Sequence, residues 1–188
     1  SGADFIKMHG LGNDFVVLDA RARALPIGAA AARAIADRRR GIGCDQLILL
    51  EPPRHEGAGA FMRIRNADGG EAEACGNAAR CVGALLMRES GAPRVAIETA
   101  AGLIAAEAHG DGRVTVDLGP ARLGWHDIPL ARACDTLHVP LSAGPLADPV
   151  CTSMGNPHAT FFVADAEAID LATLGPLLEH DPIFPDRV

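Results

Sequence analysis

The chain has 188 residues, enough for one ordinary domain or two small ones, each able to bury a core. Seventeen basic residues against twenty-four acidic ones give a net charge of -7, which argues against nucleic acid and against an anionic membrane surface. No apolar run is long enough to span a membrane, and with no Tyr and one Trp the chain lacks base-stacking platforms.

In chain order, Phe5 to His9 and Phe15 to Asp19 read as short strands around the turn Gly10-Leu11-Gly12-Asn13. Gly28 to Arg39 is Ala-rich and periodic, a helix ended by Gly41 and Gly43. Gln46 to Leu50 and Phe61 to Arg65 read as strands, separated by a Pro- and Gly-rich loop from Glu51 to Gly59. Asn66 to Gly70 is a turn by residue type. A helix follows from about Cys75 to Glu89, with Ala78, Val82, Leu85 and Leu86 at helical spacing, and Ser90-Gly91 closes it. Arg94 to Thr99, Gly102 to Ala108 and Arg113 to Leu118 read as consecutive strands.

Around Gly119-Pro120 the first unit ends. The second, from residue 120 to 188, holds a strand near Val150 to Ser153, another across Ala159 to Val163, and a helix from Ile169 to Glu179. The expected class is α+β, with strand clusters and few helices. Ser1-Gly2-Ala3 reads as a remnant of expression, with neither a basic nor an apolar targeting region.

Cys44, Cys75, Cys81, Cys134 and Cys151 make an odd count with no CxxC pair, which points to a reducing cytoplasm. No two Cys or His sit at zinc-ligand spacing, so no metal is expected. If the helix starts as placed, Cys75 lies near its N-cap and the free N–H groups of Gly76, Asn77 and Ala78 point outward. Those donors and the helix dipole favour the thiolate, and could also hold a carboxylate within reach of the sulfur. Glu71 and Glu73 act the other way. Gly76 lets a ligand approach closely. By residue type alone an unpaired cysteine is more often a small buried hydrophobe. Cys81, six residues on, faces away from Cys75 and reads as core, and Cys44, Cys134 and Cys151 read as structural. Asn13, Gln46, Asn66 and Asn156 lie in or beside turns, where amides serve the backbone or, together, could recognise a zwitterion. His158 could tune a thiol or cap a strand.

Four blocks resemble diaminopimelate epimerases: Phe5-Ile-Lys-Met-His-Gly-Leu-Gly-Asn-Asp-Phe15, Gly41-Ile-Gly-Cys-Asp-Gln46, Asn66-Ala-Asp-Gly through Cys75-Gly-Asn-Ala-Ala-Arg80, and Ser153-Met-Gly-Asn-Pro-His158. The resemblance implies two pseudo-symmetric strand-rich barrel domains, each around a central helix, with the second incomplete in these residues. It implies a first domain over 1–119 and part of a second over 120–188. The implied activity is cofactor-independent conversion of LL-diaminopimelate to the meso form, on the route to lysine and peptidoglycan, by a cytoplasmic homodimer acting on a small amino-acid substrate. Cys75 matches the family's first-domain catalytic cysteine. Asn13, Gln46, Asn66, Gly76, Asn77 and Asn156 match substrate-binding positions, and His158 matches a histidine that influences the thiols.

Inversion needs a base on one face of the α-carbon and an acid on the other, hence two thiols. Departures from the family pattern are Ala78 where many members have Gly, and Gly70 where Ser is usual. The family's second cysteine, in an Ala-Cys-Gly block after a Glu-Arg-Gly block, has no match here. The chain alone is therefore expected to be inactive. Two other readings are a fragment that only binds a ligand or partner, and a related same-fold isomerase. The Asn66-to-Arg80 block disfavours the phenazine type, and the Asn13 and Gln46 blocks disfavour proline racemase.

Overall fold

The computed structural model describes residues 2–188, which form two compact units, 2–119 and 120–188. In the first, β1 (Phe5–Gly10) and β2 (Asn13–Asp19) make a hairpin in which Gly10 faces Asn13. Its two turn residues, Leu11 and Gly12, both have positive φ, 54° and 89°, the backbone that matches the twist of paired strands. After α1 (Ala29–Ala36) come β3 (Gln46–Glu51), β4 (Ala58–Asn66) and the two-residue β5 (Glu71–Ala72). The 15-residue α2 (Gly76–Ser90) is followed by β6 (Arg94–Thr99), β7 (Gly102–Ala108) and β8 (Val114–Asp117). The strands form one sheet in the order β1-β2-β3-β4-β6-β7-β8, with β5 also paired to β4. Helix α2 packs against β1 at one end of that order and β8 at the other, as well as β6 and β7. The sheet therefore curls around the helix.

Side-chain alternation decides which residues face α2. Phe15 and Val17 of β2, Ile48 and Leu50 of β3, and Ala60, Met62 and Ile64 of β4 share one core with Ala78, Ala79, Val82, Leu85 and Leu86 of the helix. Their alternates Val16, Leu18, Leu47 and Leu49 pack outward on Ala32 and Ala36 of α1. β2 and β3 are thus covered on both faces, which explains their unbroken apolar runs. Gly83 brings α2 close to the sheet: a Cβ there would lie 2.4 Å from the Cβ of Ala106 on β7. At the far end Gly91, with φ 71°, donates its N–H to Met87 O and stops the helix.

The second unit contains β9 (Ser142–Ala143) paired with β10 (Leu146–Ala147), β11 (Val150–Ser153) paired with β12 (Pro157–Thr160), and α3 (Leu171–Glu179). Its core gathers Ile128, Leu130, Val139, Leu141, Cys151, Leu178 and Phe184. Asp170 caps α3, its carboxylate accepting from Thr173 N.

Several expected boundaries move. α1 ends at Ala36, not Arg39, because Asp37 leaves helical geometry and its carboxylate accepts from the N–H groups of Arg39 and Arg40. β4 begins at Ala58, since a register irregularity between Ala58 and Phe61 lets the Gly-containing stretch join β6. The strand expected at Ala159 to Val163 is instead Pro157–Thr160, because Ser153 pairs directly with Pro157 and β11 has no residues left to pair beyond Val150. Phe162 is 83% exposed.

Candidate functional site

Helix α2 begins as its sequence dictates. Cys75 is the N-cap, in extended conformation, and its Sγ accepts from Ala78 N at 3.4 Å while its carbonyl accepts from Ala79 N. Of the three outward amides expected, the thiol itself takes Ala78. Those of Gly76 and Asn77 have no acceptor within the helix. Cys75 is half-buried against the inner core. Gly76 stands in the open: an added Cβ would meet only Leu118 Cδ1 at 3.8 Å and Arg80 Nη1 at 3.9 Å. Asn77 is pinned by its side chain, whose Oδ1 accepts from Arg80. The β1–β2 hairpin rests on this first turn, since a Cβ at Gly10 would come within 3.3 Å of Asn77 Cβ and of its carbonyl oxygen. Glu71 is paired with Arg63 and Arg65, at 3.2 and 2.8 Å, so its charge is offset by two guanidinium groups.

Asn13, Gln46 and Asn66 continue the alternation of Phe15, Ile48 and Ile64, so all three project to the α2 side of the sheet. Gln46 and Asn66 are direct cross-strand partners, and Gln46 Nε2 donates to Asn66 Oδ1 at 2.9 Å. Asn13 Oδ1 and Gln46 Oε1 are buried acceptors with no donor among the described residues. Each such group costs about 1–3 kcal/mol unless a ligand or water satisfies it. Donors at the start of α2 and acceptors at the strand ends suit the two charges of an amino acid.

The outer face of the same strand ends carries an ionic clasp that the sequence reading missed. Asp14 N donates to Asp45 Oδ2 and Asp45 N to Asp14 Oδ1, both at 3.0 Å. Arg38 bridges the two carboxylates, bidentate to Asp14 at 2.6 and 3.1 Å and reaching Asp45 at 2.7 Å. Lys7 adds a contact to Asp14 at 2.6 Å and donates to Gly43 O. The Arg38 guanidinium, then Lys7, hold the Asp14 carboxyl well below the usual carboxylate range against the opposing effect of burial. Asp14 follows Asn13 and Asp45 precedes Gln46. That adjacency was the available signal.

In the second unit, Asn156 lies in the β11–β12 turn and His158 on β12, with His158 Nε2 and Asn156 Oδ1 at 3.2 Å. Cys44, Cys81 and Cys151 are buried, and burial pushes each thiol up, Cys151 to about 11. Cys134 is half-buried.

The diaminopimelate epimerase family profile matches residues 5–124. The chain is 65% identical over 183 residues to the diaminopimelate epimerase of Rhodospirillum centenum, covering 97% of this chain and 63% of that protein. It is 60% identical over 183 residues to that of Acidiphilium cryptum, covering 97% and 65%. It thus spans less than two thirds of those relatives' length. Among solved structures, a probable proline racemase from Agrobacterium radiobacter K84 matches with TM-score 0.60 at 20% identity, over 93% of this chain and 53% of that one. A hydroxyproline epimerase from Agrobacterium vitis matches at 0.58 and 19%, over 91% and 52%. At such identity the likeness speaks for the α+β fold alone. The profile match over more than half of the residues, together with the four sequence blocks, makes this chain a member of the diaminopimelate epimerase family.

Proposed function

We propose that the whole protein interconverts LL- and meso-diaminopimelate without a cofactor, and that Cys75 is one of its two proton-transferring thiols. In this reading residues 1–119 are the domain that carries the first thiol, and 120–188 are part of the second domain. The observation that carries it is the sulfur of Cys75 at a helix N-cap beside the Gly76 and Asn77 amides, within a sheet whose inner face offers the unpaired oxygens of Asn13 and Gln46.

The substrate carboxylate accepts from the two helix amides, where the dipole favours negative charge. Its ammonium donates to the amide oxygens, with Gln46 hydrogen-bonded to Asn66; Asn66 and Asn156 are further substrate-binding residues in this reading. One thiol, as thiolate, removes the α-proton and becomes S–H. The other, protonated, delivers its proton to the opposite face and becomes thiolate. The α-C–H bond broken on one face is replaced on the other, and no electrons are gained or lost. Charge that develops on the carboxylate as the proton leaves is met by the oriented amides. His158 acts on the thiols by tuning their proton affinity. Cys44, Cys81 and Cys151 are buried, and Cys134 lies in none of the four family blocks. In this reading the partner thiol belongs to the part of the relatives' length that residues 1–188 do not span, and these residues alone are inactive. Five free thiols suit a reducing cytoplasm, and the family resemblance points to a homodimer.

In the whole protein, Cys75→Ser should abolish exchange of the substrate α-proton with solvent deuterium, followed by NMR. Undiminished exchange in that variant rules the assignment out.

A further inference from the structure

We propose that Arg38, acting through Asp14 and Asp45, is a positioning residue that sets the Asn13 and Gln46 amides at the substrate. The inference rests on the reading of those amides given above. Along β2 the residues alternate Asn13 inward, Asp14 outward, Phe15 inward. Leading into β3 they run Asp45 outward and Gln46 inward. Each amide is therefore one peptide unit from a carboxylate of the clasp, on opposite faces of the same strand end.

Asn13 pairs with Gly10 of β1 and Gln46 with Asn66 of β4, but between their own two strands the parallel β2–β3 ladder starts only at Phe15 and Gln46. Asn13 lies beyond its first rung and Gln46 on it. The clasp continues the pairing past that point. Asp45 N donates to both Asp14 O and Asp14 Oδ1, and Asp14 N is tied to Asp45 Oδ2. Alone, two facing carboxylates would repel each other. Arg38 makes the arrangement stable, because its planar fork reaches both at once, which a lysine cannot reproduce. Lys7 anchors the same group to the carbonyl of Gly43, in the loop that leads to β3. Arg38 is available for this because α1 ends before it. Among the described residues Asn13 Oδ1 has no donor to fix it, and Gln46 is held through Nε2, which donates to Asn66 Oδ1, while its Oε1 has no donor. The aim of both amides therefore depends also on the backbone they project from.

The test is made in the whole protein with Arg38→Met and Arg38→Lys. We expect the side-chain amide NMR signals of Asn13 and Gln46 to shift in both. We expect KM to rise about tenfold or more, with a smaller effect on kcat, since the amides bind substrate and transition state alike. Lys should rescue neither. Should Arg38→Met fail to fold, Asp45→Asn, which removes one carboxylate oxygen at a half-exposed site, should show the same pattern. Unshifted amide signals, or full rescue by Lys, overturn the inference. Shifted signals with unchanged KM uphold the clasp as the device that orients the amides and overturn the role assigned to them in substrate binding.

Discussion

Gly76→Ala separates the stability of the helix start from its use. The added methyl would meet Leu118 Cδ1 at 3.8 Å and Arg80 Nη1 at 3.9 Å, ordinary van der Waals distances. Gly76 is the first residue of α2, so alanine suits its backbone. Removing glycine's freedom from the unfolded chain should then add roughly 0.4–1 kcal/mol of stability. With a urea dependence of about 1–3 kcal/mol per molar, the unfolding midpoint should rise by roughly a few tenths of a molar. In the proposed reading, the same methyl would stand where the substrate carboxylate approaches the Gly76 and Asn77 amides. One methyl group in a fitted site costs about 1–3 kcal/mol, or roughly 10- to 200-fold in binding. Urea unfolding followed by circular dichroism measures the first effect, and the KM of the whole protein for diaminopimelate measures the second. An unchanged KM would refute the placing of substrate at this helix start. A lowered midpoint would refute the view that the protein leaves the space in front of Gly76 free.

Gly83→Ala should behave in the opposite way. Its Cβ would fall 2.4 Å from that of Ala106, and overpacking of this kind costs about 1–3 kcal/mol, only partly offset by the better helix propensity of alanine. Urea unfolding should show a lowered midpoint, and an unchanged one would mean that α2 and β7 are not in close contact. For Asp14, the folded-state carboxyl is held below its usual value, so its contribution is fully present above the unfolded pKa of about 4 and is lost as pH falls through the folded value. Asp14→Asn should therefore destabilise most near neutral pH, and the gap to the unaltered protein should narrow as the pH falls below about 4. A gap that stays constant on acidification would show that the clasp does not hold this carboxylate in its charged form.

The start and end of α2 were legible in the sequence because they depend on neighbours a few residues apart. Cys75 caps through Ala78 N, and Gly91 ends the helix by adopting a positive φ. β2 and β3 were legible too, since continuous runs such as Val16-Val17-Leu18 and Leu47-Ile48-Leu49-Leu50 require cover on both faces. The same local rules proposed Cys75, Gly76 and Asn77 as an anion site. Tertiary structure decided what depended on partners far along the chain. The two-residue strands β5, β9 and β10 exist only because a neighbour completes the pairing, and no two-residue segment has a periodicity to read. β12 took its frame from the length of β11. The bridge from Arg38 to Asp14 and Asp45 crosses 24 and 7 residues, and it forms only once α1 has ended at Ala36. Sequence placed the thiol at the head of its helix, because capping is local. Only the curled sheet put the amides on the helix side and their carboxylate neighbours on the other, because facing is set by register between distant strands.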